Sequence, residues 1–185
     1  MSFAEVLAAL GLIAVLAADA ARFGQAALWR WEELSVAREI HHSLAVTAEM
    51  FEREWRVAGF HASGQSLLGV VEPTSQSIQL RADLNGDGDV ADAHERIEYT
   101  WDPSRHAVMR ATQGASPQPW LSDVPEGGFA LRYLDSSGQE IPADQASSQA
   151  RAVVLSLRVQ RSSSARGESS LATQGLSILR ARRNG

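Results

Sequence analysis

The first sixty residues have the spacing of a single long helix. Apolar positions recur every three or four residues from 28 to 58, which is the period of one face of an α-helix. These positions are Leu28, Trp31, Leu34, Ala37, Ile40, Leu44, Ala48, Phe51, Trp55 and Ala58. No proline occurs before position 73, and Gly59 is a typical stop because glycine readily adopts the left-handed conformation that ends helices. The pattern predicts one helix over residues 2–58, about 85 Å long at about 1.5 Å per residue.

The start of this helix differs from the rest because it is apolar on nearly all sides. Residues 6–18 carry no charge, whereas a helix needs about 20 apolar residues to cross the hydrocarbon of a bilayer. Counting from Met1 brings the segment close to that length, but it places Glu5 within the membrane, where a carboxylate is costly. We expect residues 1–28 to protrude as a membrane anchor or filament core, and residues 29–185 to form a globular domain that includes the amphipathic helix half.

Glu5 requires a positive partner if it is buried. No basic residue precedes Arg22, so the apolar segment does not follow the basic region that opens a secretory signal. We therefore expect Met1 to be a processed terminus, and not an initiator. The nearest cation would then be a chain terminus, which a neighbouring copy or partner could also offer. This favours assembly with other subunits through Glu5.

After His61 the pattern changes to short alternating runs, which are typical of strands. The predicted strands are residues 67–71, 77–82, 96–101, 107–112, 129–134, 152–161 and 176–182. Residues 113–127 and 135–150 are rich in Ser, Gly, Pro and Gln and are predicted loops, and residues 161–170 are predicted as a polar excursion between the last two strands. The expected fold is α+β, with the long N-terminal helix packed on an antiparallel β-sheet.

The segment DLNGDGDVADAHE, residues 83–95, holds five acids in thirteen positions. Its first half repeats the start of a calcium loop, in which oxygen ligands alternate and a glycine, here Gly88, allows a sharp turn. Its second half departs from that pattern, since His94 occupies the place of the bidentate Glu. Two interpretations stay open: a calcium site, or a solvated turn whose side chains cap the backbone. The candidate ligands are Asp83, Asn85, Asp87, Asp89, Asp92 and Glu95.

Composition and the remaining motifs narrow the function. The formal net charge of −5 argues against nucleic acid as the main partner. The chain has no cysteine, which excludes disulfides, thiolate metal sites and cysteine nucleophiles. No histidine pair has a metal-ligand spacing, and no serine lies in a nucleophile-elbow sequence. We therefore expect a protein that is not an enzyme.

The N-terminal sequence MSFAEVLAALGLIAVL resembles the mature start of the type IV pilin-like superfamily. In that superfamily a prepilin peptidase removes a leader ending in Gly, and the new N-terminus is methylated. By this resemblance Met1 is the processed residue and Glu5 the glutamate used in assembly. Two features depart from the common pattern: Met1 replaces the commoner Phe, and Arg22 stands where many major pilins have a proline.

Further segments are similar to the PilW-like minor pilins. They are FEREWRVAGF at the helix end, RADLNGDGD followed by RIEYTWD and VMRAT, then QPWLSDVPEGGFALRYLDSSG, ARAVVLSLRVQR and LSILRARRN. The resemblance implies a minor pilin, a structural subunit of a type IV pilus tip or initiation complex. It would lie in the inner membrane with a periplasmic domain before assembly and in the extracellular pilus afterwards, and its partners would be other pilins. The alternatives are a J-type minor pseudopilin of type II secretion and a membrane-anchored calcium-binding or adhesive receptor domain.

Overall fold

A computed structural model gives the fold of residues 2–61, 67–163 and 170–181; for Glu5, Ala9 and the residues after 161 it describes the backbone alone. The first element is the helix α1, Phe3–Val57, which contains 55 residues. It ends where Gly59 turns the chain with a φ of +82°, a conformation that costs glycine little. Met1 lies outside the described residues. The prediction of one helix over residues 2–58 is confirmed.

The domain covers only the second part of α1. Described side chains from Ser2 to Ser35 are exposed, apart from the half-buried Trp29. Burial begins at Val36 and becomes complete at Ile40, from which the core side of the helix continues. Its buried apolar residues are Ile40, Leu44, Ala48, Phe51 and Trp55. The protruding part of the helix therefore extends past residue 28 to Ser35.

The apolar face predicted from residue 28 onward is wrong at its beginning. Leu28, Trp31 and Leu34 are 69%, 74% and 64% exposed. One helical turn takes about 3.6 residues, so side chains spaced by three are each turned about 60° from the one before. A series of such positions therefore leaves the face on which it began. Trp31 precedes Ile40 by nine residues, and at about 100° per residue the two side chains leave opposite sides of α1.

The domain contains two antiparallel sheets where the sequence predicted one. The first has the order β1-β2-β3-β4-β5, with strands Val70–Val71, Ser77–Arg81, Arg96–Asp102, Ala107–Thr112 and Gln118–Leu121. The second has the order β7-β6-β8-β9, in which β6 is Phe129–Leu134, β7 Glu140–Ile141, β8 Ala152–Ser163 and β9 Ser170–Ala181. A short helix α2, Ala143–Gln149, precedes β8. The α+β class is confirmed.

Both predicted loops contain regular structure. Residues 113–127 include β5, which contains Pro119. Proline usually disfavours a strand, but β5 is an edge strand, where proline is tolerated. Residues 135–150 include β7 and α2, and α2 buries only Ala146, so it has almost no apolar periodicity to detect. The predicted excursion 161–170 is also too long, since β8 continues to Ser163 and β9 begins at Ser170 with a partner in register.

The core lies between α1 and the two sheets. Phe51 contacts the Tyr99 ring edge-on at a centroid distance of 5.3 Å, and Tyr99 lies 4.4 Å from Trp120. The sheets meet at the turn after β1, where the Tyr133 hydroxyl donates to the carbonyl of Thr74 at 2.8 Å. Aromatic rings of the first sheet thus fix the inner half of α1 in the domain.

Candidate functional site

The outer half of α1 is an apolar surface that the domain leaves uncovered. α1 is the one helix among the described residues that is long and apolar enough to cross a membrane, and none of its most apolar 18-residue window is buried inside the protein. Its large exposed apolar residues before position 24 are Phe3, Val6, Leu7, Leu10, Leu12, Ile13, Val15, Leu16 and Phe23. A continuous apolar surface of this extent marks a contact with lipid or with other helices.

Of the two residues predicted to serve assembly, the structure describes the backbone of Glu5, at the tip of this surface. Glu5 is in the first turns of α1, and its side chain, like the whole of Met1, lies outside the description. The next charged residues along the helix are Asp19 and Arg22, whose side chains form an exposed pair at 3.7 Å. Glu5 is therefore separated from the next charge by Val6 to Ala18, which carry none.

The acidic loop is held by its two buried end residues. Asp83 is fully buried, and its carboxylate accepts the N–H of Gly86 at 2.6 Å and that of Gly88 at 3.3 Å. Glu95 is 2% exposed. One Glu95 oxygen accepts the N–H groups of Leu84 and Asn85, at 2.8 Å and 3.3 Å. Both carboxylates accept hydrogen bonds from backbone N–H groups within the loop. This is the capped turn, one of the two interpretations that the sequence left open.

Two exposed candidates, Asp87 and Asp89, converge with the buried Glu95 in this loop. One carboxylate oxygen from each of Asp87, Asp89 and Glu95 lies within 4.8 Å of the other two. The amide nitrogen of Asn85 donates to Asp87 at 3.0 Å and also to Asp92. Six residues were predicted as ligands: three converge, Asn85 and Asp92 lie beside them, and Asp83 is turned inward.

Neighbouring groups shift the ionisation of two carboxyls in this loop in opposite directions. The pKa of Asp92 is raised, chiefly by the negative charge of Asp87 and next by desolvation. The pKa of Asp87 is lowered, chiefly by the N–H of Asp89 and then by the Asn85 amide. The candidate ligand atoms of this loop are carboxylate and amide oxygens, which suit a hard divalent cation such as Ca²⁺. The loop offers three converging carboxylates and a glycine turn, since Gly88 has a φ of +93°.

Sequence reasoning missed the histidine that lies against the loop. His61 pairs with Asp83 in an isolated parallel bridge, and its Nδ1 lies 3.3 Å from an Asp83 oxygen. The pair joins the end of α1 to the start of the acidic loop. No local motif signals it, because the two residues are far apart in sequence and meet only after the helix has packed on the first sheet.

A second missed cluster joins α1 to the first sheet. The carboxylate of Glu54 accepts a hydrogen bond from Arg110 Nη2 at 2.6 Å and another from the Tyr99 hydroxyl. The Glu54 and Arg110 side chains are 12% and 18% exposed. Burial, followed by the charge of Glu54, raises the pKa of Tyr99, which therefore stays protonated and donates. This cluster fixes the helix on the sheet.

Comparisons with models of known protein families, with curated proteins and with solved structures find no match for this chain. The candidate sites consequently rest on the chemistry and geometry of this chain's own residues.

Proposed function

We propose that this chain is a minor pilin, a non-enzymatic structural subunit that is held in the inner membrane and then packed into a type IV pilus through α1. The observation that carries the proposal is the unbroken passage of one helix from an exposed apolar half into a half buried in a β-rich domain. The exposed half of such a helix can leave the lipid and pack against the helices of neighbouring subunits. The exchange requires little free energy, because lipid and apolar side chains are similarly apolar.

Glu5 is the residue that gives this exchange a register. A carboxylate buried among apolar helices accepts few positions, since it must meet a cation such as the N-terminal amine of a neighbouring subunit. With no charge from Val6 to Ala18, other alignments of that stretch offer Glu5 no basic partner. Glu5 thereby specifies the stagger between subunits more than it adds to their affinity.

The test compares Glu5→Gln with Glu33→Gln in the organism that carries the gene. Both substitutions remove one carboxylate charge from the outer helix, and glutamine keeps the shape of glutamate. We expect Glu5→Gln to reach the membrane fraction normally but to be strongly depleted from sheared filaments, while Glu33→Gln is recovered like the wild type. Equal recovery of Glu5→Gln and wild type in filaments would remove the basis of the proposal.

A second candidate function, a membrane-anchored calcium-binding receptor, is favoured by the convergence of Asp87, Asp89 and Glu95. Bound calcium would relieve their repulsion and stabilise the domain by mass action, by about 1.4 kcal/mol when free calcium is roughly ten times Kd.

Thermal melts of the full chain in detergent, with calcium or with chelator, test this candidate. Calcium should raise the melting temperature of the wild type and of Asp144→Asn, a control in the first turn of α2, but not that of Asp87→Asn. If the wild type melts identically in both conditions and calorimetry detects no binding, the loop is a solvated turn.

A further inference from the structure

The helix segment between the apolar tip and the domain carries large apolar side chains that its own domain does not cover. We call residues 24–35 the neck segment. It ends where burial begins at Val36, yet Leu28, Trp31 and Leu34 are 64% to 74% exposed. Its charged residues are Arg30, which stands between Trp29 and Trp31, and the two acids Glu32 and Glu33. Apolar and charged groups thus alternate at one level of the helix.

The exposed apolar side chains of the neck segment lie on one side of the helix. Leu28, Trp31 and Leu34 are spaced by three residues, so each leaves the axis about 60° from the next and all three lie within an arc of about 120°. Arg30 and the two glutamates of the segment lie outside this arc. A level of the helix that exposes both apolar and charged side chains suits the headgroup layer of a bilayer as the occupant.

The distance along the helix agrees with that occupant. If the hydrocarbon begins at Val6, directly after Glu5, its thickness of about 30 Å ends some twenty residues later, near Ala26. Trp31 then lies about 7.5 Å beyond the hydrocarbon, at the level where tryptophan rings collect in membrane proteins. The paired Asp19 and Arg22 then lie about 10 Å and about 6 Å inside this boundary, and pairing and the long Arg side chain reduce their cost.

We propose that the neck segment is a lipid-interface belt, with Trp31, Leu28 and Arg30 in the headgroup region of the leaflet next to the domain. The belt sets the depth of α1 and holds the domain close to the bilayer surface, because Val36 follows Trp31 by only five residues. The inference rests on the membrane insertion contained in the proposed function and does not depend on filament assembly.

The test reconstitutes the full chain in phospholipid vesicles that contain lipid brominated near the headgroup, which quenches nearby tryptophans. The chain has five tryptophans, so the contribution of one is read as the difference made by Trp31→Phe. The matched control is Trp101→Phe, since Trp101 is half-buried in the domain, where its indole N–H donates to Val124. We expect Trp31→Phe to remove a large share of the quenching and Trp101→Phe to leave it unchanged.

Two spin-labelled variants determine whether α1 is inserted at all. The chain has no native cysteine, so Ile13→Cys and Arg53→Cys each give a single labelling site. We expect the label at residue 13 in hydrocarbon and the label at residue 53 in water. If the label at residue 13 lies in hydrocarbon but Trp31→Phe shows no loss of quenching, the belt is rejected and membrane insertion is retained. A label at residue 13 in water overturns both the belt and the membrane insertion in the proposed function.

Protein contact is the remaining outcome. If the Trp31 emission shifts to shorter wavelength only as the number of chains per vesicle rises, with no quenching by brominated lipid, the neck segment binds another copy and the belt is rejected.

Discussion

The two halves of α1 share one backbone helix but are stabilised by different surroundings. Ile40, Leu44, Phe51 and Trp55 are buried in the domain, and Glu54 adds a hydrogen-bonded ion pair with Arg110. The described side chains of the outer half are exposed, apart from the half-buried Trp29, although they are at least as apolar. The difference shows that apolar content alone does not place a helix in a core. A matching surface must also exist within the chain, and here it begins at Val36.

The largest effect should come from removing the aromatic anchor of the inner half. Trp55 is completely buried, so Trp55→Ala leaves a cavity and should reduce the free energy of unfolding by about 3–5 kcal/mol. Leu34→Ala removes an apolar side chain from the outer half of the same helix and should change the unfolding free energy of the domain by less than about 0.5 kcal/mol. Chemical denaturation of the full chain in detergent measures both. Similar losses in the two variants would contradict the division of α1.

A smaller effect should follow from breaking the partly buried pair of Glu54 and Arg110 on the inner half. Glu54→Ala leaves the Arg110 guanidinium and the Tyr99 hydroxyl without their acceptor, which should cost about 1.5–3 kcal/mol.

The control for Glu54→Ala is Glu49→Ala, which breaks an exposed pair with Arg53 one turn earlier. That change should cost at most about 0.5 kcal/mol, because solvent screens exposed i,i+4 pairs. The same denaturation curves distinguish the two variants. An equal cost at the two positions would mean that Glu54 is no more than a surface charge.

Much of the fold could be predicted from the sequence where one local rule decides the structure. The end of α1 followed from Gly59, and β4 and β6 were predicted with the bounds that the structure shows, since their apolar positions are clear. The elements that were missed are short and held by tertiary contacts. β5 exists because it pairs with β4, and α2 has a polar sequence with one buried residue.

The candidate site was only partly predictable for a related reason. Spacing identified the acidic loop, but it could not distinguish a ligand from a cap, because that depends on where backbone N–H groups lie after folding. Asp83 and Glu95 are buried acceptors of such groups, whereas Asp87 and Asp89 are exposed. The pairing of Asp83 with His61 depended on the packing of α1 and had no signal in the local sequence.

The proposed passage of α1 from the membrane into a filament is tested most directly by the mass of the N-terminal peptide in filaments sheared from the cell surface. We predict a peptide that begins at Met1, with the mass increase of one methyl group on the α-amine, in the purified filament fraction. Detection of the chain only in the membrane fraction, or with an unmethylated N-terminus at another residue, would contradict the account.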